Sequence, residues 1–261
     1  MPETFTTSTD PDLWLRRFAP DPAAPARVLF LPHAGGAASF YRPLCRALAG
    51  VAEAIAVQYP GRQERRREPC VEDLHQMADL VAEVLAGAPE RPTALFGHSM
   101  GAVVAFELAL RLEERGAAPV ALFVSARRAP SQYRVEDLYL QSDERVLEEI
   151  RRLDGTDTTF LEDEELVRLI LPTLRSDYRA IGTYRPRPGK ATSAPITVLV
   201  GDSDPRMSAP EAPHWAGHTS AGIDVHSFRG GHFYLAEHVE PVAGLIGRRL
   251  REAGVPVPAA R

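Results

Sequence analysis

A parallel β-sheet wrapped by helices is the fold the sequence predicts, and three observations carry that prediction. Short apolar runs suited to buried strands recur at residues 27–31, 52–58, 94–96, 120–124 and 196–200. Stretches with apolar residues at helical spacing separate most of them, the alternation that builds a sheet covered on both faces. The third observation is Gly97-His98-Ser99-Met100-Gly101, placed between the apolar run at 94–96 and a helix-like stretch at 102–115. Glycine on both sides of a serine at such a junction marks a turn too sharp for neighbouring side chains, with the hydroxyl lifted into the open.

Taken in order, residues 27–31 form a strand that runs into the glycine-rich turn Pro32-His33-Ala34-Gly35-Gly36-Ala37. A helix rich in alanine and leucine precedes the strand at 52–58, and Leu74, Ala78, Val81 and Leu85 share one face of a helix over 71–85. Ala102, Phe106, Ala109 and Leu110 do the same behind Ser99. After 120–124 the alternation breaks. From about 129 to 184 no strand pattern occurs, and two helical patterns appear instead. One starts at Asp143 and carries Val146, Leu147, Ile150 and Leu153; the other starts at Asp163 and carries Leu166, Leu169, Ile170 and Leu174. Pro172 is expected to bend or end a helix there. Helices inserted at this point lie above the strand edges, so the segment reads as a lid, a role compatible with packing on the sheet. The strand at 196–200, the alternating strand Ile223–Phe228, a terminal helix and a loose tail from Gly254 complete the chain. No internal repeat is present, and 261 residues suit one α/β domain spanning 1–261, with the lid at about 129–184.

Serine between two glycines at a strand-to-helix turn is how the α/β-hydrolase fold builds its nucleophile elbow, so the expected architecture is a mostly parallel central sheet flanked by helices, with a helical lid insertion. A serine hydroxyl needs a histidine base, and the histidine an acid that holds it. In this fold the acid and then the histidine follow the serine. The strand at 196–200 ends in Gly201-Asp202-Ser203-Asp204, and Ile223–Phe228 runs into Gly230-Gly231-His232-Phe233. Ser99, Asp204 and His232 are therefore the expected triad; Asp204 is favoured as the acid, with Asp202 capping the turn. Ala34 and Met100 are expected to supply the two N–H groups of an oxyanion hole, one from the loop after the early strand and one after the nucleophile. The glycine-rich turn could alternatively cradle phosphate, but it has neither Gly-x-Gly-x-x-Gly nor Gly-Lys-Ser/Thr, and Lys190 is the only lysine.

The other histidines have plainer readings. His214 and His218 stand four apart but lack a nearby third ligand for zinc. His226 falls on a strand, His238 on a helix, His98 inside the elbow as part of the pocket floor, and His33 on the glycine-rich loop. A formal net charge of -5 gives no general attraction to nucleic acid. Cys45 and Cys70 make no disulfide or metal framework. The N-terminus lacks a leader pattern and no apolar run is long enough to span a membrane, so a cytoplasmic location is expected.

Several segments together resemble the type II, stand-alone editing thioesterases of polyketide and nonribosomal peptide synthases. They are Leu31-Pro-His-Ala-Gly-Gly36, Gln58-Tyr-Pro-Gly-Arg62, Gly97-His-Ser-Met-Gly-Ala102, Ser125-Ala-Arg-Arg-Ala-Pro130, Leu171-Pro-Thr-Leu-Arg-Ser-Asp177, Gly201-Asp-Ser-Asp204 and Gly230-Gly-His-Phe233. The resemblance covers nearly the whole chain and departs from the family pattern at Ala126, where glycine is common. It implies hydrolysis of stalled or wrong acyl groups from the phosphopantetheine arm of an acyl or peptidyl carrier protein, by a monomer that needs no cofactor or metal. A carboxylesterase or acyltransferase of the same fold and a nonenzymatic carrier-binding scaffold are the rival readings. Carrier domains are acidic near the modified serine, so Arg62, Arg65, Arg66 and Arg67, the densest positive run, are the expected docking residues.

Overall fold

The computed structural model describes residues 7–153 and 163–258. A one-turn helix, α1 (Pro11–Trp14), leads into β1 (Leu15–Arg17) and, after a loop, β2 (Arg27–Leu31). Then come α2 (Arg42–Ala47), β3 (Glu53–Val57), α3 (Leu74–Ala86), β4 (Thr93–His98), α4 (Met100–Glu114) and β5 (Ala121–Ser125). Two helices, α5 (Asp143–Arg152) and α6 (Glu164–Thr183), precede β6 (Ile196–Gly201), β7 (Ile223–Phe228) and the last helix, α7 (Val239–Glu252). The seven strands lie in the order β1-β3-β2-β4-β5-β6-β7. All neighbours are parallel except β1, which pairs antiparallel with β3.

Successive strand side chains point to opposite faces, and both faces are covered. Leu29, Leu31, Leu95 and Val198 pack on the side of α3 and α4, while Val28, Phe30, Phe96 and Phe123 pack on the side of α2 and α7. That double burial is why these strands read as continuous apolar runs. The register sets Leu31 beside Gly97, His98 beside Ser125, Ser125 beside Leu199, and Gly201 beside Phe228. The carboxyl ends of five strands thus share one edge. Chain order reverses between β2 and β4, and a crevice opens beyond the strand ends at such a reversal.

Three features depart from the sequence expectations. β1 lies outside the predicted set: it is three residues long, too short to show alternation. Pro172 does not end its helix, which runs on to Thr183. Within that helix Leu166 and Leu169 are exposed, at 42% and 58%, and continuous burial starts at Thr173 and Leu174. In the first half Val167, Ile170 and Leu171 are partly buried against the core, so the inward face there is rotated from the one that Leu166 and Leu169 suggested.

One buried carboxylate ties the elbow helix to its surroundings. Glu107, on α4, is fully buried and accepts hydrogen bonds from Arg111 on its own helix, from Arg187 after α6, and from the Tyr184 hydroxyl at 2.9 Å. His75 of α3 lies 3.1 Å away. Burial alone pushes the Glu107 carboxyl up, but His75 and Arg111, with help from Tyr184, outweigh it and hold the pKa at about 2 against an ordinary 4.5. A depressed carboxylate stabilises the fold above its unfolded pKa, and that stability is lost as pH falls through the folded value. Denaturant titrations should therefore show up to ~3 kcal/mol disappearing between about pH 4.5 and pH 2. Glu107→Gln should lose about 3 kcal/mol at pH 7 and flatten that acid limb; an unchanged acid limb would show that Glu107 is not the group responsible.

Candidate active site

β4 ends in a turn that only glycine permits. A Cβ on Gly97 would stand 2.0 Å from the Gly101 carbonyl oxygen and 2.5 Å from the Ala102 Cα; one on Gly101 would stand 1.9 Å from the Leu31 carbonyl oxygen. Both are collisions with backbone, which has no rotamer to give way. Between them Ser99 adopts φ 54°, ψ -115°, a strained conformation for a residue with a side chain. Its N–H donates to the Ser125 carbonyl at 2.8 Å, and its carbonyl accepts from Ala102 N–H at 3.0 Å. The hydroxyl is thereby held clear of the sheet edge at the start of α4.

His232 arrives from the loop after β7. Its Nε2 lies 2.9 Å from Ser99 Oγ, and its Nδ1 lies 3.0 and 2.9 Å from the two carboxylate oxygens of Asp204. Asp204 leaves the end of β6 and also accepts the Arg206 N–H at 2.8 Å. Asp202 turns away and accepts the Gly230 N–H at 2.9 Å, bracing the histidine loop. The structure thus brings Ser99, His232 and Asp204 into one hydrogen-bonded line and gives Asp202 a capping role. Ala34 sits in the wall of the Ser99 pocket, and Met100 opens α4 directly after Ser99. Among the described residues neither backbone N–H donates to a protein acceptor. The first N–H groups of a helix lack intrahelical partners and carry its positive dipole end.

The remaining histidines divide cleanly. His98 is fully buried beneath the pocket, with Nδ1 2.8 Å from Ser125 Oγ, which in turn lies 2.7 Å from the Tyr234 hydroxyl. This chain links β4, β5 and the residue two beyond His232. His33 borders the pocket and packs edge-on against Phe233 and Phe40. Burial, then the neighbouring His232 and Arg62, push His33 down to about 3, and burial pushes His98 well below the ordinary histidine range. Both stay neutral at pH 7. His218 faces Ser131 Oγ at 3.0 Å, His214 is exposed, His226 is on β7, and His238 stands just ahead of α7 rather than within it.

Leu153, Tyr178 and Ile181 of the inserted segment cap the pocket, and the His232 N–H donates to the Leu153 carbonyl at 3.3 Å. Sequence spacing gave no sign of the part of the wall where Arg127, Arg128 and Arg206 stand with Glu136. Arg127 and Arg206 pair with Glu136, and Arg206 also pairs with Glu149 of α5 at 2.7 Å; Arg128 has no carboxylate partner among the described residues. Ala126, beside them, has φ 54°, which explains why a glycine suits that position.

The arginine run is corrected by its burial. Arg62 is 4% exposed and pairs with Asp177 of α6; Arg65 is 2% exposed, pairs with Glu68 and lies over the Trp14 ring. Neither reaches a partner protein, because the turn after Tyr59 folds both guanidiniums inward onto carbonyls of its own loop, Arg62 to Pro60 and Arg65 to Gln58. Arg66 and Arg67 are exposed.

Comparison with known proteins gives the family. Residues 26–250 match the family described as thioesterase domain. A probable cadicidin biosynthesis thioesterase of Streptomyces griseus is 47% identical over 91% of this chain, which spans 66% of that relative's length. Thioesterase PikA5 of Streptomyces venezuelae is 45% identical over 93% of the chain and 87% of its own length. The solved structure of BorB, a type II thioesterase from the borrelidin biosynthetic cluster, is 48% identical, covers 94% of this chain and 100% of its own, and superimposes with a TM-score of 0.86. The chain belongs to the thioesterase family. Ser99→Ala or His232→Ala should lower thioester turnover by roughly 10³-fold or more with unchanged circular dichroism, and Asp204→Asn by about 10²-fold or more. Asp202→Asn should stay within about threefold of the parent, since it loses a turn contact alone. The reverse order of the two aspartates would move the acid to Asp202.

Proposed function

We propose that this thioesterase clears acyl groups from the phosphopantetheine arm of a carrier protein in polyketide or nonribosomal peptide synthesis, through an acyl-enzyme on Ser99. The observation that carries the reading is the line from Ser99 Oγ through His232 to Asp204, at 2.9 Å on either side of the imidazole, together with the Ala34 and Met100 N–H groups, which donate to no protein acceptor among the described residues. His232 Nε2 takes the Ser99 proton as Oγ attacks the thioester carbonyl. The oxygen that gains charge accepts from Ala34 and Met100 N–H, each donor contributing on the order of 3 kcal/mol. Collapse of the adduct breaks the carbon–sulfur bond, and His232 returns its proton to the leaving thiol. Water then enters by the same route and leaves the free acid and the starting serine. Asp204 holds the imidazole and offsets its transient charge.

The names of the relatives, one a probable cadicidin biosynthesis thioesterase and one a type II thioesterase from the borrelidin biosynthetic cluster, support a place beside such assembly lines. In this reading a monomeric enzyme in the cytoplasm meets its carrier by diffusion. Arg66 and Arg67 remain the docking residues of this reading: they are exposed, and among the described residues neither pairs with a carboxylate. Exposed charges act mainly on encounter.

An acyl carrier thioester and the matched oxygen ester, assayed side by side, test the reaction. The thioester should be favoured by at least about tenfold in kcat/KM; equal rates or an ester preference would make the chain a carboxylesterase. Arg66→Gln with Arg67→Gln should raise KM for the carrier substrate severalfold at low salt and flatten its salt dependence, with small-thioester hydrolysis unchanged. Parent-like kinetics toward the carrier would remove this loop from docking.

A further inference from the structure

The loop that carries Ala34 is gripped from outside by a residue of the inserted helix. Asp177, fully buried on α6, accepts the Gly35 N–H at 2.7 Å. The same carboxylate binds the Arg62 guanidinium, which also donates to the Gly36 carbonyl at 3.3 Å and the Pro60 carbonyl at 2.6 Å. Gly35 itself has φ +72°, and a Cβ there would stand 2.4 Å from Leu174 Cδ2 of α6. One turn earlier, Thr173 donates from Oγ1 to the Gly61 carbonyl at 3.0 Å. Thus the second half of α6 meets the loop through an ion pair, a backbone hydrogen bond and a steric contact at once.

We infer that Asp177 is a positioning residue for the oxyanion hole, acting through Gly35 to aim the Ala34 N–H, and that the second half of α6 is a fixed part of the catalytic frame and not a moving lid. The Gly35 N–H lies in the peptide plane between Ala34 and Gly35, which meets the plane of the Ala34 N–H at the Ala34 Cα, so an acceptor that holds the Gly35 N–H restrains the orientation of the neighbouring unit. Arg62 keeps the carboxylate from being a lone buried charge, which would be strongly unfavourable.

The inference rests on the Ser99 chemistry above but not on the identity of the acyl carrier, and its test uses a small acyl thioester together with an alkyl boronic acid that bonds to Ser99 and places an oxygen in the hole. In an Arg62→Met background, which strands no buried cation, Asp177→Asn keeps an acceptor for the Gly35 N–H and Asp177→Leu does not. The Asn variant should keep kcat about 10²-fold above that of the Leu variant, with KM nearly equal in the two, and should bind the boronate more tightly by a comparable factor. Equal kcat in the two folded variants, or a rise in KM alone, would overturn the positioning role. Should either variant fail to fold, a single substitution in the intact enzyme decides the second half of the claim. Thr173 Oγ1 lies 4.0 Å from Cys70 Sγ, so Thr173→Cys places a thiol where oxidation with copper phenanthroline ties α6 to the body of the protein. Oxidised and reduced forms should hydrolyse both carrier-bound and small thioesters at rates within twofold of each other. Loss of carrier turnover on oxidation, regained with dithiothreitol, would show that this half of α6 must move and would overturn the inference. Failure of the parent to hydrolyse carrier thioesters would count against the carrier reading alone, since the small-thioester and boronate measurements still decide the role of Asp177.

Discussion

Backbone resting on backbone at the end of β4 is the contact on which the remaining geometry depends. With a Gly97 Cβ only 2.0 Å from the Gly101 carbonyl oxygen and a Gly101 Cβ 1.9 Å from that of Leu31, the strand, the helix behind it and the neighbouring strand approach as closely as peptide groups can. That approach forces Ser99 to φ 54° and lifts its hydroxyl toward the crevice. It also sets the Met100 N–H at the head of α4 and brings the β2 exit, with Ala34, alongside. Strain at one residue is sustained because burial of α4 along almost its whole length opposes any relaxation.

Charge around this point is managed by pairing and by neutrality. His33 and His98 crowd His232, with ring centroids 5.8 Å apart from each other and 5.2 Å from His98 to His232, yet both are kept neutral by burial. Asp204 is the carboxylate within reach of His232 Nδ1, so an imidazolium forming there meets a single, fixed counter-charge. Asp177 is the converse case. Burial raises its pKa, while the Arg62 charge and the Gly35 N–H oppose that rise, and the pair spends its polarity on holding the oxyanion loop. Two buried carboxylates from separate elements, Asp204 beside His232 and Asp177 beside the loop after β2, thus hold the two sides of the pocket.

The sequence made the triad legible because each member sits a few residues beyond a strand end, and strand ends in a parallel sheet converge whatever the connecting segments do. Asp204 and His232 needed only the runs at 196–200 and 223–228 to place them. The Arg62–Asp177 pair was invisible for the opposite reason: its partners are 115 residues apart and no periodicity links them. The same limit turned Arg62 and Arg65 into apparent surface charges, since a run of arginines looks identical whether its guanidiniums face water or fold back onto Pro60 and Gln58 carbonyls. Leu166 and Leu169 show the complementary failure. Helical spacing is a property of the segment, whereas burial depends on a neighbouring layer, and that layer meets Val167, Ile170 and Leu171 instead.

A covalent acyl-enzyme on Ser99, with the leaving group gone before water enters, is the central claim, and product partitioning tests it most directly. With methanol present, an acyl carrier thioester, the corresponding pantetheine thioester and the corresponding oxygen ester all pass through the same Ser99 adduct if the account is right. The ratio of methyl ester to free acid should then be identical for the three substrates, even though their overall rates differ. A ratio that changes with the leaving group would mean that water attacks the bound substrate directly, and would contradict the role assigned to Ser99.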